Sequence, residues 1–345
     1  MKNKQVTAIG YAVAAAMFYA LNVPCSKLLL DKITPTLMAA FLYLGTGIGV
    51  GLMYLFHHKK ELPVDRLEKK DIPYTVGMVL LDIIAPILFM IGIRLGTSAN
   101  ASLLGNFEIV ATTMIALFIF KEKVSKKLWT AIGLITLSSI ILSFGGQESF
   151  TFSIGSLLVL GATICWGLEN NCTRAIAEKS TYEIVTIKGF GSGNGALIVA
   201  MILGERLPQI QYILPAFLLG FVAYGLSIFT YIKAQKVLGA AKTSAYYAIA
   251  PFIGAFLSFV LLQDSLTVSY LIALLIMVIG TIFVIADTLV HHHAHVHVHT
   301  FVHTHDGTTH KHTITHSHDH HHYFSDEKHG HKHCIADLEK WLADH

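Results

Sequence analysis

Along most of this chain apolar residues neither alternate nor recur at single-face helical spacing; they run on. Ten apolar stretches stand at about 7–30, 36–56, 72–95, 99–120, 127–144, 153–173, 183–204, 212–235, 241–262 and 267–287. Each has the roughly 18 to 25 residues that cross about 30 Å of hydrocarbon at about 1.5 Å per residue. A bilayer offers no water to unpaired backbone groups, so these stretches predict helices rather than loops or open strands. The first follows Lys2 and Lys4, as a signal peptide would. Its apolar run exceeds the usual length of roughly 7 to 15 residues, and no small-residue cleavage site ends it, so it reads as a retained first helix.

Composition strengthens that picture. Of 345 residues, 53% are hydrophobic and 14% charged, with a mean hydropathy of +0.57. A soluble chain carries about 25% charged residues, so a water-soluble enzyme is excluded. The net charge of +3 argues for no nucleic-acid partner. Four cysteines, three of them in apolar stretches (Cys25, Cys165, Cys172), make no disulfide framework. Lys and Arg number sixteen in the N-terminus and alternate loops against four (Lys27, Lys32, Arg94, Arg206) on the other side. By the positive-inside rule both termini are expected in the cytoplasm of a multi-pass protein of the cell membrane.

The two halves repeat. Tyr19-Ala-Leu-Asn-Val-Pro-Cys-Ser-Lys27 matches Trp166-Gly-Leu-Glu-Asn-Asn-Cys-Thr-Arg174, and Leu95-Gly96 matches Leu238-Gly239. Lys121-Glu122-Lys123-Val124-Ser125 then matches Gln263-Asp264-Ser265-Leu266-Thr267. With five spans in each half, the second lies inverted relative to the first, an arrangement of secondary transporters with a site at the repeat interface. The expected organisation is all-α, with five-helix repeats over 1–146 and 147–288 and a cytoplasmic tail over 289–345.

On these residues the sequence resembles the drug/metabolite transporter superfamily, in particular its ten-helix members with two EamA-type repeats, over about residues 6–288. The resemblance implies a proline in the middle of spans four and nine with an acid just after each. Pro251, Asp264 and Glu122 fit, whereas Glu108 stands at the first repeat's proline position. It also implies a path lined by helices one and six. It does not imply a particular substrate.

Charged groups in hydrocarbon are costly and are functional candidates by default. Asp82 and Glu108 fall near the centres of spans three and four, where the matched residues are Gly225 and Pro251. Glu108, with Asp82, is expected to titrate or to bind a cationic group of the substrate. Glu169-Asn170-Asn171 forms a polar run in span six, with Asn22 matched to Glu169. Lys188 lies about a turn into span seven and is followed by Gly189, Gly191, Gly193 and Gly195, which suit close helix approach or a flexible gate. Tyr19, Trp166, Tyr246 and Tyr247 would suit an aromatic-lined site.

Eighteen of the 21 histidines fall within 291–333. His293, His295, His297, His299, His303 and His305 precede Asp306-Gly307-Thr308-Thr309; His310, His312, His316, His318, His320 and His322 follow it. With a four-residue loop, His305 faces His310, His303 faces His312, His299 faces His316, His297 faces His318, His295 faces His320, His293 faces His322, and Phe301 faces Ile314. A two-residue Asp-Gly turn keeps one face but pairs fewer histidines directly. Either way the pattern predicts a β-hairpin whose histidines bind zinc, nickel or cobalt; a disordered metal buffer is the other reading. After Cys334, Ile335, Leu338, Trp341 and Leu342 suggest a short amphipathic helix.

The expected function is secondary active transport of a small organic metabolite or drug by alternating access, with a metal-binding regulatory tail. The alternative is a divalent-metal (Zn, Ni or Co) transporter whose tail collects or senses its cargo. No histidine lies in a span, which disfavours it. A metal-sensing receptor without net transport is a third reading. No Walker-type motif is present, no cofactor is required and no enzymatic chemistry is expected. The partners are lipid, a small-molecule substrate and divalent metal ions, and a homodimer is an admissible assembly.

Overall fold

The computed structural model describes residues 2–57, 66–120, 125–145, 151–238, 243, 246–263, 267–288, 291–305 and 308–322, the last two segments by backbone only. Glu122, Gly239, Asp264, the Asp306-Gly307 turn and the segment after Cys334 lie outside these residues. The chain separates into two compact units, Met1–Asp287 and Thr288–His345.

The first unit is built of helices that follow the ten apolar stretches. Span one is Lys2–Ala20 and, after an interruption at Leu21, Asn22–Leu29. Spans two and three are Pro35–His57 and Ile72–Leu95. Span four is split into Ser98–Leu104 and Phe107–Phe120. Spans five, six and seven are Lys126–Ser143, Ile154–Ile176 and Thr181–Ile202. Span eight runs Ile210–Leu219, through a π-helical turn at Gly220–Leu226, into Ser227–Leu238. Ala250–Leu262 belongs to span nine, and Val268–Thr288 is span ten. Among the described residues, six of these stretches are long and apolar enough by themselves to cross a membrane. Span six is not among the six; it carries Glu169, Asn170, Asn171 and Arg174.

Local chemistry fixes the helix starts. The Thr97, Ser153 and Ser180 hydroxyls accept the first free amides at the heads of spans four, six and seven, from Asn100, Ser156 and Glu183. Span seven ends at Gly204, whose φ of 69° is a backbone conformation that L side chains rarely adopt.

The two repeats interleave. Span three packs along span six, and span eight along span one, so each half supplies the neighbour of the other's first helix. Spans two and seven, equivalent under the repeat, pack on each other. The core between them includes Leu37, Met38, Leu42, Tyr43, Phe89, Met90 and Ile93, all at most 2% exposed.

Glycine decides how close these helices come. A Cβ on Gly189 would stand 2.3 Å from the Gly47 amide nitrogen, and one on Gly193 would stand 2.7 Å from that of Leu44. Cβ atoms on Gly191 and Gly195 would instead strike Val79 and Ile83 of span three at 2.9 and 2.2 Å. The four glycines therefore serve two faces, each with four-residue spacing, which settles close approach as their packing role. Gly45 and Gly220 make the same backbone contact between spans two and eight, where an added Cβ would lie 2.1 Å from the Phe217 and Leu42 carbonyl oxygens.

The second unit contains an antiparallel pair, His291–His305 with Thr308–His322. Its register differs from the four-residue-loop expectation. His303 lies opposite His310, His297 opposite His316, His295 opposite His318 and His293 opposite His320. His299 and Phe301 lie opposite Ile314 and His312, and His305 opposite Thr308. Two residues separate the strands, the commonest hairpin connection because its twist matches that of the strands.

Replacing Gly189 by Leu should lower the thermal unfolding midpoint in detergent, at an overpacking cost of about 1–3 kcal/mol. Gly133→Leu should leave it unchanged, since a Cβ at Gly133 meets nothing within 4 Å.

Candidate functional site

A lysine carried into the bundle on a glycine-rich helix must find its counter-ions there. Lys188 Nζ lies 3.1 Å from Asp82 Oδ2 on span three and 2.9 Å from Glu169 Oε1 on span six. Their side chains are 6%, 0% and 3% exposed. The Thr173 hydroxyl, one turn along span six, also donates to Glu169. Gly189, the neighbour of Lys188, is the residue that meets span two backbone to backbone, so the glycine contact fixes where the ammonium stands.

The next residue of span six reaches a third carboxylate. Asn170 Nδ2 donates to Glu108 Oε1 at 2.6 Å. Glu108 is half-buried, and makes no ion pair among the described residues. Its position explains the departure from the expected proline. Span four breaks at Gly105-Asn106, and Glu108 lies in the first turn of the helix that restarts at Phe107. Pro251 likewise lies in the first turn of Ala250–Leu262. Both residues suit a helix start, Pro because its missing N–H is not needed there and Glu because the dipole favours negative charge. Only Glu108 brings a charge. Interrupted helices at a repeat interface are how transporters expose polar groups to a path.

In the pseudo-symmetric place of Glu169 stands Asn22, and its bonding is neutral. Asn22 Nδ2 donates to the Tyr224 hydroxyl at 3.1 Å, and the Ser26 hydroxyl donates to Asn22 Oδ1 at 3.0 Å. Tyrosine rings extend from there. Tyr19 lies 5.9 Å from Tyr224 and 5.8 Å from Tyr247, Tyr43 lies 5.1 Å from Tyr224, and Tyr231 lies 5.1 Å from Tyr247, centroid to centroid.

The structure thus brings Asp82 and Glu169 together, and places Glu108 on the neighbouring residue of span six. It joins Asn22 and Tyr19 through Tyr224, and Tyr247 through Tyr19. Trp166 packs edge-on against Phe89 at 5.0 Å as part of the wall. Tyr246 is half-buried and has no ring partner among the described residues. The sequence pattern singles out Lys188 and Asn170 without giving either a partner, and carries no signal for Tyr43 or Tyr224. A lone lysine in an apolar span was the available signal.

Both ends of the bundle are tied across helices. At one, Lys27 Nζ donates to the carbonyls of Ile93, Arg94 and Gly96 at 2.7, 3.2 and 2.7 Å, capping span three. Glu205 there accepts from the Thr34 hydroxyl and the Leu37 amide. At the other end, Lys179 pairs with Glu68 at 2.6 Å, and Glu183 accepts the Leu67 amide at 2.8 Å. Hydrogen bonding from Lys179, then Lys70, holds the Glu68 carboxyl down at about 2. That depressed value makes the tie complete above the ordinary glutamate range and lost only as pH falls toward 2.

The EamA-like transporter family model matches residues 6–144 and 153–286. The chain belongs to the EamA-like transporter family. Among its relatives, an uncharacterized transporter of Methanothermobacter thermautotrophicus is 25% identical over 289 residues, covering 78% of this chain and 83% of that one. The uncharacterized transporter YyaM of Bacillus subtilis is 21% identical over 267 residues, covering 74% and 85%. A solved protein crystal structure superimposes with a TM-score of 0.60 at 17% identity, over 80% of this chain and 95% of its own. That last likeness shows the fold alone. This EamA chain is therefore a multi-pass membrane transporter, and its two matched segments each contain one side of the charged contacts. Asp82 and Glu108 come from the first; Glu169, Asn170 and Lys188 come from the second.

Lys188→Met removes the ammonium shared by two buried carboxyl groups and should destabilise the protein by about 3 kcal/mol. Adding Glu169→Gln should recover part of that loss, read as unfolding midpoints in the same detergent.

Proposed function

We propose that this EamA chain is a secondary active transporter of a small organic metabolite or drug, working by alternating access. The observation that carries the reading is the buried charge constellation assembled across the repeats, with Glu108 presented by a broken helix beside span six. A site shared by two inverted halves changes its exposure when the halves rock, and the ties at Lys27 and Lys179 are contacts such rocking would exchange. Glu108 and Asp82 are the carboxylates for substrate binding or coupling. Asn22, Glu169, Tyr19, Trp166, Tyr246 and Tyr247 supply the surrounding wall. The bundle sits in the cell membrane with both termini cytoplasmic.

The tail is proposed to bind zinc or nickel and to regulate transport. What supports it is the backbone register, in which His293, His295 and His297 lie opposite His320, His318 and His316. H-x-H spacing on a strand with a histidine across the ladder is a ligand pattern that suits such metals. The same register supports the second reading, in which the metal is cargo.

Protein reconstituted in vesicles should take up or expel an organic solute from a panel of amino acids and cationic drugs, and a chain ending at residue 290 should keep that transport while losing its zinc response. Movement of divalent metals alone, abolished by the truncation, would establish the second reading instead. Glu108→Gln should abolish uptake driven by a pH gradient; unchanged uptake removes its role in substrate binding or coupling.

A further inference from the structure

The charged cluster contains two carboxylates and one ammonium. Asp82 and Glu169 carry two negative charges when ionised, and Lys188 offers one positive charge between them. A buried site that low in solvent does not hold an uncompensated charge cheaply, and two carboxylates sharing one site cannot both ionise at ordinary cost.

The contacts distinguish the two acids. Glu169 has Lys188 at 2.9 Å in a hydrogen bond and also accepts from the Thr173 hydroxyl. Asp82 is wholly buried and has no hydrogen bond of full geometry at either oxygen; Lys188 stands 3.1 Å from Oδ2 as an ion-pair neighbour, and the Tyr43 hydroxyl also faces the carboxyl. The titratable and charged groups facing Asp82 come from every side. They are Tyr43 on span two, Glu169 and Cys172 on span six, Lys188 on span seven and Tyr224 on span eight, with Glu108 on span four acting through Glu169. Lys188 is the only cation among them.

We propose that Asp82 carries an exchangeable proton, as a neutral carboxylic acid beside a Lys188–Glu169 ion pair, and that this proton is the coupling ion. The inference deepens the transporter reading and rests on it for the word coupling. It divides the work between two carboxyls. Glu108, half-buried and held by one amide, remains for the cargo, while Asp82, sealed from solvent, stores the proton. Deprotonating Asp82 makes Lys188 the shared counter-ion of two carboxylates on spans three and six. The proton therefore alters the attraction among three helices drawn from both repeats.

The test is the carboxylic-acid C=O stretching band in the infrared spectrum of the full chain in lipid nanodiscs at neutral pH, followed by its shift in D2O. Wild-type protein should show the band, and Asp82→Asn should lose it. Glu169→Gln should also lose it, because one lysine then faces one carboxylate and Asp82 ionises; this variant carries the test should Asp82→Asn fail to fold. Lys188→Met should strengthen the band toward that of two acids. Comparison with Glu108→Gln subtracts any contribution from Glu108. A wild-type spectrum without the band, or a Glu169→Gln spectrum that keeps it undiminished, overturns the proposal. These spectra need no transport. A band present in protein that moves no solute would leave the proton in place and refute only the transport reading.

Discussion

An ammonium group inside a hydrocarbon-spanning bundle has to bring its counter-ions with it, and the rest of this structure is arranged around that requirement. Lys188 is acceptable on span seven only because spans three and six deliver Asp82 and Glu169 to within 3.1 and 2.9 Å. Span three arrives there because span seven presents glycine where it meets spans two and three most closely. Gly189 and Gly193 admit span two, while Gly191 and Gly195 admit span three. Close packing and charge compensation are one constraint seen at two depths. Removing the glycines would separate the charges, and removing the charges would leave the glycine contacts without their electrostatic tie.

Symmetry supplies the frame and its violations supply the chemistry. The repeats give spans four and nine equivalent interruptions, one restarted by Glu108 and the other by Pro251. They give spans one and six equivalent polar positions, Asn22 bonded to Tyr224 and Glu169 bonded to Lys188. In each pair one half is neutral and the other charged. A transporter whose halves exchange roles while rocking would thereby keep its charges at one place along the path.

Much of this was legible in the sequence. Apolar runs of membrane-spanning length marked the helices, because lipid leaves the backbone no alternative. The matched Cys-hydroxyl-base and Leu-Gly motifs marked the repeat. The break in span four was hidden, since a glutamate at a helix start does the structural work usually advertised by a proline. The partner of Lys188 was hidden for another reason: Asp82, Glu169 and Lys188 lie on three separate spans, and no periodicity relates them. The histidine pattern predicted a hairpin but left its loop length open, and the observed pairing of His297 with His316 rather than His318 follows from the shorter connection.

If one path is shared by the interleaved repeats, Asn170, half-buried and bonded to Glu108, must be reachable from both sides of the membrane. A cysteine placed there, in a chain stripped of its other cysteines and reconstituted in oriented vesicles, can be offered a membrane-impermeant thiol reagent from either side. Modification is expected from both sides, with the balance shifting when a transported solute is added. Modification from one side alone, indifferent to solute, would contradict a shared path.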